Sequence, residues 1–296
     1  MCDSRTIDMA LIAKILFPVD FSPSSIGMAA YVKRAASIFG AQVSLVHVVD
    51  PTSYTGLELY ARSPFEIEEE HLAVGQQKLD SFLASEFPAN ECPRILASGD
   101  AASQIANVAR NGRFSLIIMP THAGVFRQML LGSTTAKVLN DADCPVLTSR
   151  HAEIIAPRPL DHREWLCAIG LSADSERVLR YAITAAKEAE GKVAIVHAVQ
   201  AGDPSLPIQL DLKETVQSAE RRQASLRIAE LQRKVGLEVP FRIAVGSVKD
   251  ALLEAARQSD ADALIIGRNH RPGSGGRLRD LTYAVVRDSP FPVLSV

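Results

Sequence analysis

The sequence lacks a strong charge imbalance and long apolar runs. The formal net charge of its 296 residues is −2, so we expect no strong electrostatic field for nucleic acid or for a membrane surface. No apolar run approaches the ~20 residues that span a bilayer. The first residues contain Asp3, and Lys14 interrupts their apolar stretch, which makes this segment a poor signal peptide.

Cysteine and histidine are too scattered to indicate cross-links or a metal site. The four cysteines are Cys2, Cys92, Cys144 and Cys167, and no two of them form a C-x-x-C motif. This usage suits a reducing cytoplasm better than a disulfide framework. The seven histidines are also dispersed, so no metal ligand is predicted. We therefore expect a cytoplasmic protein.

An internal repeat is the strongest signal that the sequence does contain. Four segments recur in the same order at nearly one spacing, which is too long for a solenoid and indicates two similar domains. The matched segments are 17–25 with 168–176, Gln42–Val49 with Lys192–Val199, 98–122 with 245–270, and 144–149 with 291–296. We predict a first domain over residues 1–150 and a second over 163–296. The linker is residues 151–162, HAEIIAPRPLDH, which contains two prolines.

Each repeat alternates short apolar runs with amphipathic stretches. In the first repeat, strands are predicted at 14–18, 43–49, 94–97, 116–119 and 145–148, and helices at 22–39, 66–86, 101–110 and 133–140. The second repeat follows the same order, with a long helix over 211–235 that is predicted to bury Leu212, Val216, Ala219, Leu226 and Ala229. Strand and helix alternation predicts a parallel sheet with helices on both faces.

Three segments are predicted to meet where ligands bind such sheets, outside the carboxyl ends of the strands. Asp20 follows the first strand, where it would accept hydrogen bonds from a ligand amine or hydroxyl, or else cap the next helix. The second segment is the backbone at the end of the second strand, beside His47, which we interpret as a core histidine. The third is PTHAGVFRQMLLGSTTAKVL (120–139), in which Gly132 and Ser133 open a helix. Free N–H groups at a helix start attract phosphate, although these two residues would also serve as a plain turn and cap.

These motifs together resemble the universal stress protein family. The resemblance rests on KILFPVDFSPSS, VSLVHVVDP, LIIMPTH, LLGSTTAKVL and DCPVLTSR, and it covers nearly the whole chain as two tandem copies. It implies two Rossmann-like domains of the adenine nucleotide alpha-hydrolase type, each with a five-stranded parallel sheet. It also implies ATP or another adenine nucleotide as ligand, with Mg²⁺ as a companion ion.

The resemblance assigns roles to particular residues of the first domain. Asp20 and Pro18 would hold the base and ribose, Val48 the base, and the Gly132–Ser133–Thr134 segment the phosphates. The implied nucleotide-binding set is completed by Val19, Met119, Pro120, Ala123, Gly124 and Arg127. Arg127 would either contact a phosphate or lie in solvent as an ordinary surface arginine.

Both domains depart from the family's phosphate loop. In the first domain Pro120 and Ala123 stand where the family has glycines, and the loop reaches Gly132 one residue early. In the second domain Gly170 replaces the aspartate, and Asp280 stands at the helix start, where it would repel a phosphate. We therefore expect a degenerate second site, and interpret the glycine-rich residues 273–276 as a surface loop.

Three functions are compatible with these residues. The first is a stress-response regulator that binds an adenine nucleotide in the first domain. The alternative is a stress protein without nucleotide that acts as a dimerisation or protein-interaction module. An enzyme is disfavoured, with slow ATP hydrolysis at most, because the chain has no S-G-G-x-D-S loop and no paired carboxylates near the loop. The last strands of the two domains, at 145–148 and 292–296, are apolar edges that we expect to pair within the chain, and two chains are expected to form a homodimer.

Overall fold

The computed structural model describes residues 10–51, 63–121, 131–150, 164–200, 210–268 and 280–296. The predicted linker lies outside these residues. The first unit has strands β1 (Lys14–Pro18), β2 (Gln42–Val49), β3 (Arg94–Ser98), β4 (Leu116–Pro120) and β5 (Val146–Ser149). Its helices are α1 (Pro23–Phe39), α2 (Pro64–Ser81), α3 (Ala101–Asn111) and α4 (Ser133–Asp141).

The second unit repeats this order. Its strands are β6 (Glu164–Ala168), β7 (Lys192–Val199), β8 (Phe241–Val245), β9 (Ala263–Ile266) and β10 (Val293–Ser295). Its helices are α5 (Ser175–Glu188), α6 (Leu210–Val235), α7 (Val248–Gln258) and α8 (Asp280–Asp288). Of the helices described, none combines the length and the apolar character that crossing a membrane requires.

Local signals fix most helix ends. The side chain of Ser22 accepts the Ser25 N–H and caps α1, and Gly40 ends that helix in the left-handed conformation with φ 60°. Ser63 and Glu66 form a capping box at the start of α2. This helix stops at Ser81 rather than at residue 86, because Phe82 turns to an extended conformation.

The ten strands described above form one sheet in the order β3-β2-β1-β4-β5-β10-β9-β6-β7-β8. Neighbouring strands within each unit are parallel, with α-helical crossovers, as predicted. The two units join where β5 and β10 pair antiparallel, with Leu147 opposite Leu294. The expected pairing of the last strands is therefore present, and a homodimer would need a different surface of the chain.

Arg268 of the second unit caps the C-terminal end of helix α4 in the first unit. The guanidinium of Arg268 donates to the backbone carbonyls of Leu139 (2.9 Å), Ala142 (3.1 Å) and Cys144 (2.6 Å), at the end of α4. The residue is only 4% exposed. Burial lowers the pKa of Arg268 to about 10, which still leaves it charged at neutral pH. The side chain thus donates hydrogen bonds to carbonyls at the helix end, where the helix itself supplies no N–H partners.

The predicted buried face of the long helix is wrong. Leu226 is 68% exposed and Val216 is 49% exposed, whereas Ile228 is fully buried and Ala224 and Leu231 lie in the core. The helix carries two apolar stripes of similar helical spacing, and the pattern alone does not choose between them. Packing against the sheet buries the stripe of Ala224, Ile228 and Leu231 and leaves Leu226 in solvent.

Candidate functional site

The carboxyl ends of β1, β2 and β4 surround a cavity of about 220 Å³ in the first unit. Nine of the residues predicted for the site line it, namely Pro18, Val19, Asp20, Val48, Met119, Pro120, Gly132, Ser133 and Thr134. The other three predicted residues, Ala123, Gly124 and Arg127, lie outside the described residues. The cavity therefore stands at the edge of the sheet where ligands of such folds bind.

Asp20 is an anchored carboxylate and does not cap the helix. Its Oδ1 accepts hydrogen bonds from the Ser22 N–H (3.1 Å), the Ser22 hydroxyl (2.6 Å) and the Ser25 hydroxyl (2.5 Å). Because Ser22 already caps α1, the alternative interpretation of Asp20 as a plain cap is wrong. Its Oδ2 accepts no hydrogen bond among the described residues, and it is therefore available to a ligand.

The backbone of Val48 presents an unpaired edge to the cavity. The Val19 N–H donates to the Val46 carbonyl (2.8 Å), and a parallel ladder would continue with the Val48 N–H bound to the Val19 carbonyl. Instead, the imidazole Nδ1 of His47 forms a hydrogen bond of 2.8 Å with the Val19 carbonyl. Phe21 has a positive φ of 64°, which is outside the extended range of a strand. Among the described residues, the N–H and C=O of Val48 are left without partners.

His47 therefore has a role that sequence reasoning missed. It lines the cavity rather than lying in the core, and its ring packs on Phe21 with centroids 4.3 Å apart. Burial lowers the pKa of His47 below its usual value, against the opposing effect of the Val19 carbonyl. The ring is thus neutral at neutral pH, and its Nδ1–H is the donor. One signal for this role was present, because the repeat places His197 at the equivalent position.

The start of α4 supplies free N–H groups at the opposite side of the cavity. Gly132 precedes the helix without any side-chain cap, so the first N–H groups, from Ser133 onward, have no partner within the helix. The N–H of Gly132 itself donates to the Thr121 carbonyl at 2.8 Å. Gly132 therefore holds the turn, and the donors open to an anion belong to Ser133 and Thr134.

Helix α3 adds an apolar wall that the sequence did not single out. Ala101 and Ile105 line the cavity on this side, and Ile105 is almost fully buried. An apolar wall opposite a polar backbone edge suits a flat ring, which presents two faces and a hydrogen-bonding rim.

The second unit has a cavity of its own, of about 290 Å³, at the ends of β6, β7 and β9. Gly170 stands there in place of Asp20, as the sequence predicted. The Asp20 carboxylate is thus absent from the second cavity, whereas Ser175, His197 and Thr282 line it where Ser25, His47 and Thr135 line the first.

Comparisons with known proteins agree with the repeat and the fold. The sequence profile of the universal stress protein family matches residues 12–150 and 163–296. A universal stress protein of Methanocaldococcus jannaschii is 32% identical over 141 residues, which cover 46% of this chain and 81% of that protein. One of Thermus aquaticus is 31% identical over 140 residues, which cover 46% of this chain and 97% of that protein. A solved universal stress protein of Archaeoglobus fulgidus shares the fold, with a TM-score of 0.67 at 23% identity over 97% of this chain and 98% of its own. The chain therefore belongs to the universal stress protein family, of which it carries two copies in tandem.

Proposed function

We propose that the first unit binds ATP or a related adenine nucleotide and that the protein acts as a nucleotide-responsive stress regulator. One observation carries the proposal. A single cavity joins the Asp20 carboxylate, the unpaired backbone edge of Val48 and the uncapped start of α4.

Each of these groups matches one part of a nucleotide. The N–H and C=O of Val48 fit the acceptor and donor that neighbour each other on adenine. The free oxygen of Asp20 would accept a ribose hydroxyl. The N–H groups and hydroxyls of Ser133 and Thr134, at the positive end of a helix dipole, would hold phosphate oxygens.

The site supports binding better than rapid chemistry. Asp20 is the one carboxylate that lines the described part of the cavity, and three hydrogen bonds hold it. His47 already uses its Nδ1–H on a backbone carbonyl. We therefore propose that nucleotide occupancy, with slow hydrolysis at most, is the signal that the protein carries.

Calorimetric titration of ATP into the full chain tests the proposal. The wild type is expected to bind one ATP per chain. Asp20→Ala removes a charged acceptor, and one such hydrogen bond is worth roughly 1.5–3 kcal/mol, so binding should weaken about tenfold to a hundredfold. Asp174→Ala in the second unit is the matched control, because Asp174 lies at a helix start outside this cavity.

Two results would contradict the proposal. Absence of heat from the wild type at millimolar ATP would favour the alternative of an interaction module without nucleotide. Equal ATP affinity in the wild type and Asp20→Ala would place the ligand elsewhere. Nucleotide released on denaturing the purified protein, identified by mass spectrometry, would show which nucleotide is bound.

A further inference from the structure

We propose that the second unit binds the carboxylate of a small organic acid in a cavity of about 210 Å³ between the start of α5 and the long helix α6. Ser172, Ser175, Arg227 and Lys234 line this cavity. It is a different space from the cavity at the ends of β6, β7 and β9, because the described lining residues of the two have only the two serines in common. This site does not depend on nucleotide binding in the first unit.

Two serines hold a carboxylate in the first unit, and both recur in the second. Ser22 and Ser25 donate their hydroxyls to Asp20. The repeat places Ser172 and Ser175 at the same two positions, and a glycine at the position of the aspartate. The second unit therefore keeps the hydroxyl donors for a carboxylate but does not supply the carboxylate itself.

Neither of these hydroxyls donates to an acceptor within the described residues. The Oγ of Ser175 accepts the Ser172 N–H at 2.9 Å, which leaves its own hydrogen available. Ser175 is only 4% exposed, and a buried donor without an acceptor is costly. The hydroxyl of Ser172 is also available, because α5 begins without a side-chain cap. An acceptor that comes from outside the chain would satisfy both hydroxyls.

Arg227 adds a positive charge that has no carboxylate partner among the described residues. Its Nη2 donates to the Leu171 carbonyl, which fixes the guanidinium at the cavity. The carboxylates at the start of α5 and in residues 225–235 of α6 are each bound by another cation, namely Asp174 by Arg177 (2.8 Å), Glu176 by Arg180 (2.8 Å) and Glu230 by Lys234 (3.1 Å). A guanidinium beside two hydroxyls is a strong donor set for a carboxylate.

The space for the rest of the acid comes from a change of side-chain size between the repeats. In the first unit Phe21 and Phe82 pack edge to face, with ring centroids 5.3 Å apart. With the buried faces of α2 and α6 aligned, Leu171 and Leu231 stand at the corresponding positions, and both line the cavity. The smaller leucines leave room beside the donors, and their apolar side chains suit a short hydrocarbon chain better than an inorganic ion.

Amide NMR spectra of the ¹⁵N-labelled full chain, titrated with sodium propionate, test this site. We expect propionate at millimolar concentration to shift the amides of Ser172 and Ser175. Propionamide has nearly the same shape but no charge, so it should bind at least about tenfold more weakly. Sodium chloride at equal ionic strength should leave both amides in place. Ser22 and Ser25 are the internal control, because Asp20 already accepts from their hydroxyls.

Two pairs of variants give a second arm. Arg227→Gln removes the unpaired charge and should weaken propionate binding at least about tenfold, whereas Arg222→Gln, at an exposed position of the same helix, should retain it. Gly170→Asp returns a carboxylate to the chain near the two serines, which line the neighbouring cavity together with Gly170. A Cβ there would meet nothing within 4 Å. This variant should also weaken propionate binding, and Gly170→Asn, of similar shape without the charge, should retain most of it.

Several results would overturn the proposal. In the wild type they are unshifted Ser172 and Ser175 amides with propionate, equal effects of propionamide or chloride, and equal propionate shifts at Ser22 and Ser25. Among the variants, unchanged propionate affinity in Arg227→Gln or in Gly170→Asp would have the same meaning. The wild-type results do not depend on the folding of any variant. No nucleotide is present in these titrations, so their outcome is separate from that of the ATP titration.

Discussion

Replacing Arg268 with alanine should cost the protein much of its stability, although the residue lies in neither cavity. Its guanidinium is buried between the units and donates three hydrogen bonds to carbonyls at the end of α4. Alanine would leave these carbonyls without donors, remove the charge that complements the helix dipole, and open a cavity.

The magnitude follows from opposing effects. Leaving a buried carbonyl without its donor costs roughly 1–3 kcal/mol, and the cavity left by a truncated side chain adds to that loss. The guanidinium pays a desolvation penalty in the native state, which its lowered pKa reflects, and its Nε has no partner among the described residues. We therefore expect a net loss of about 3 kcal/mol in the free energy of unfolding.

Urea unfolding followed by circular dichroism measures this loss. Arg242→Ala is the matched control, because Arg242 is exposed and, among the described residues, donates only to the Gln258 side chain. It should change stability by less than about 0.5 kcal/mol. Arg268→Lys keeps the charge but not the planar fork, so an intermediate loss is expected. If Arg268→Ala were no more destabilising than Arg242→Ala, the account of this contact would be wrong.

Other variants test the packing, the charges and the turns. Ile228→Ala should lower the unfolding free energy by about 2–5 kcal/mol, whereas Leu226→Ala on the same helix should change it by less than about 0.5 kcal/mol; similar losses would mean that the other face is buried. Hydrogen bonds from Ser103 and Lys137 lower the pKa of Asp100 to about 2. This carboxylate therefore stabilises the fold fully above about pH 4 and loses its effect as the pH falls towards 2, so acid titration of Asp100→Asn should show a smaller loss than the wild type in that window. Gly40→Ala should cost about 1 kcal/mol or more, because Gly40 has a φ of 60°. Gly170→Ala, at a negative or extended φ with open space around it, should leave the melting temperature unchanged or slightly higher.

The parts of the fold that local chemistry decides could be predicted from the sequence. Ser22 and Gly40 bound α1 because a capping hydroxyl and a left-handed residue act within one turn of chain. The strands could be predicted because short apolar runs between amphipathic stretches are typical of strands that are buried on both faces of a sheet. The parallel arrangement of the strands could be predicted because strand and helix alternate along both units.

The contacts that depend on distant neighbours could not be predicted. Nothing in the sequence of α6 distinguishes the stripe of Ile228 from that of Leu226 until the sheet is in place. Val48 was predicted as a base contact, but the reason that its N–H and C=O are open could not be predicted. Strand β1 ends before it reaches Val48, and the imidazole of His47 binds the Val19 carbonyl that the Val48 N–H would otherwise have bound. Arg268 reads as an ordinary loop arginine until the second unit docks against the end of α4.

The antiparallel pairing of β5 and β10 determines at which rim of the sheet each unit has its cavity. Because the two parallel half-sheets run in opposite senses from this junction, their carboxyl ends point to opposite rims of one continuous sheet. The two cavities therefore lie at opposite rims of the sheet. A symmetric dimer of single units is obliged to carry identical sites. Joining the units in one chain removes that obligation, so that the cavity at one rim keeps the carboxylate of Asp20 while the cavity at the other has Gly170 in its place.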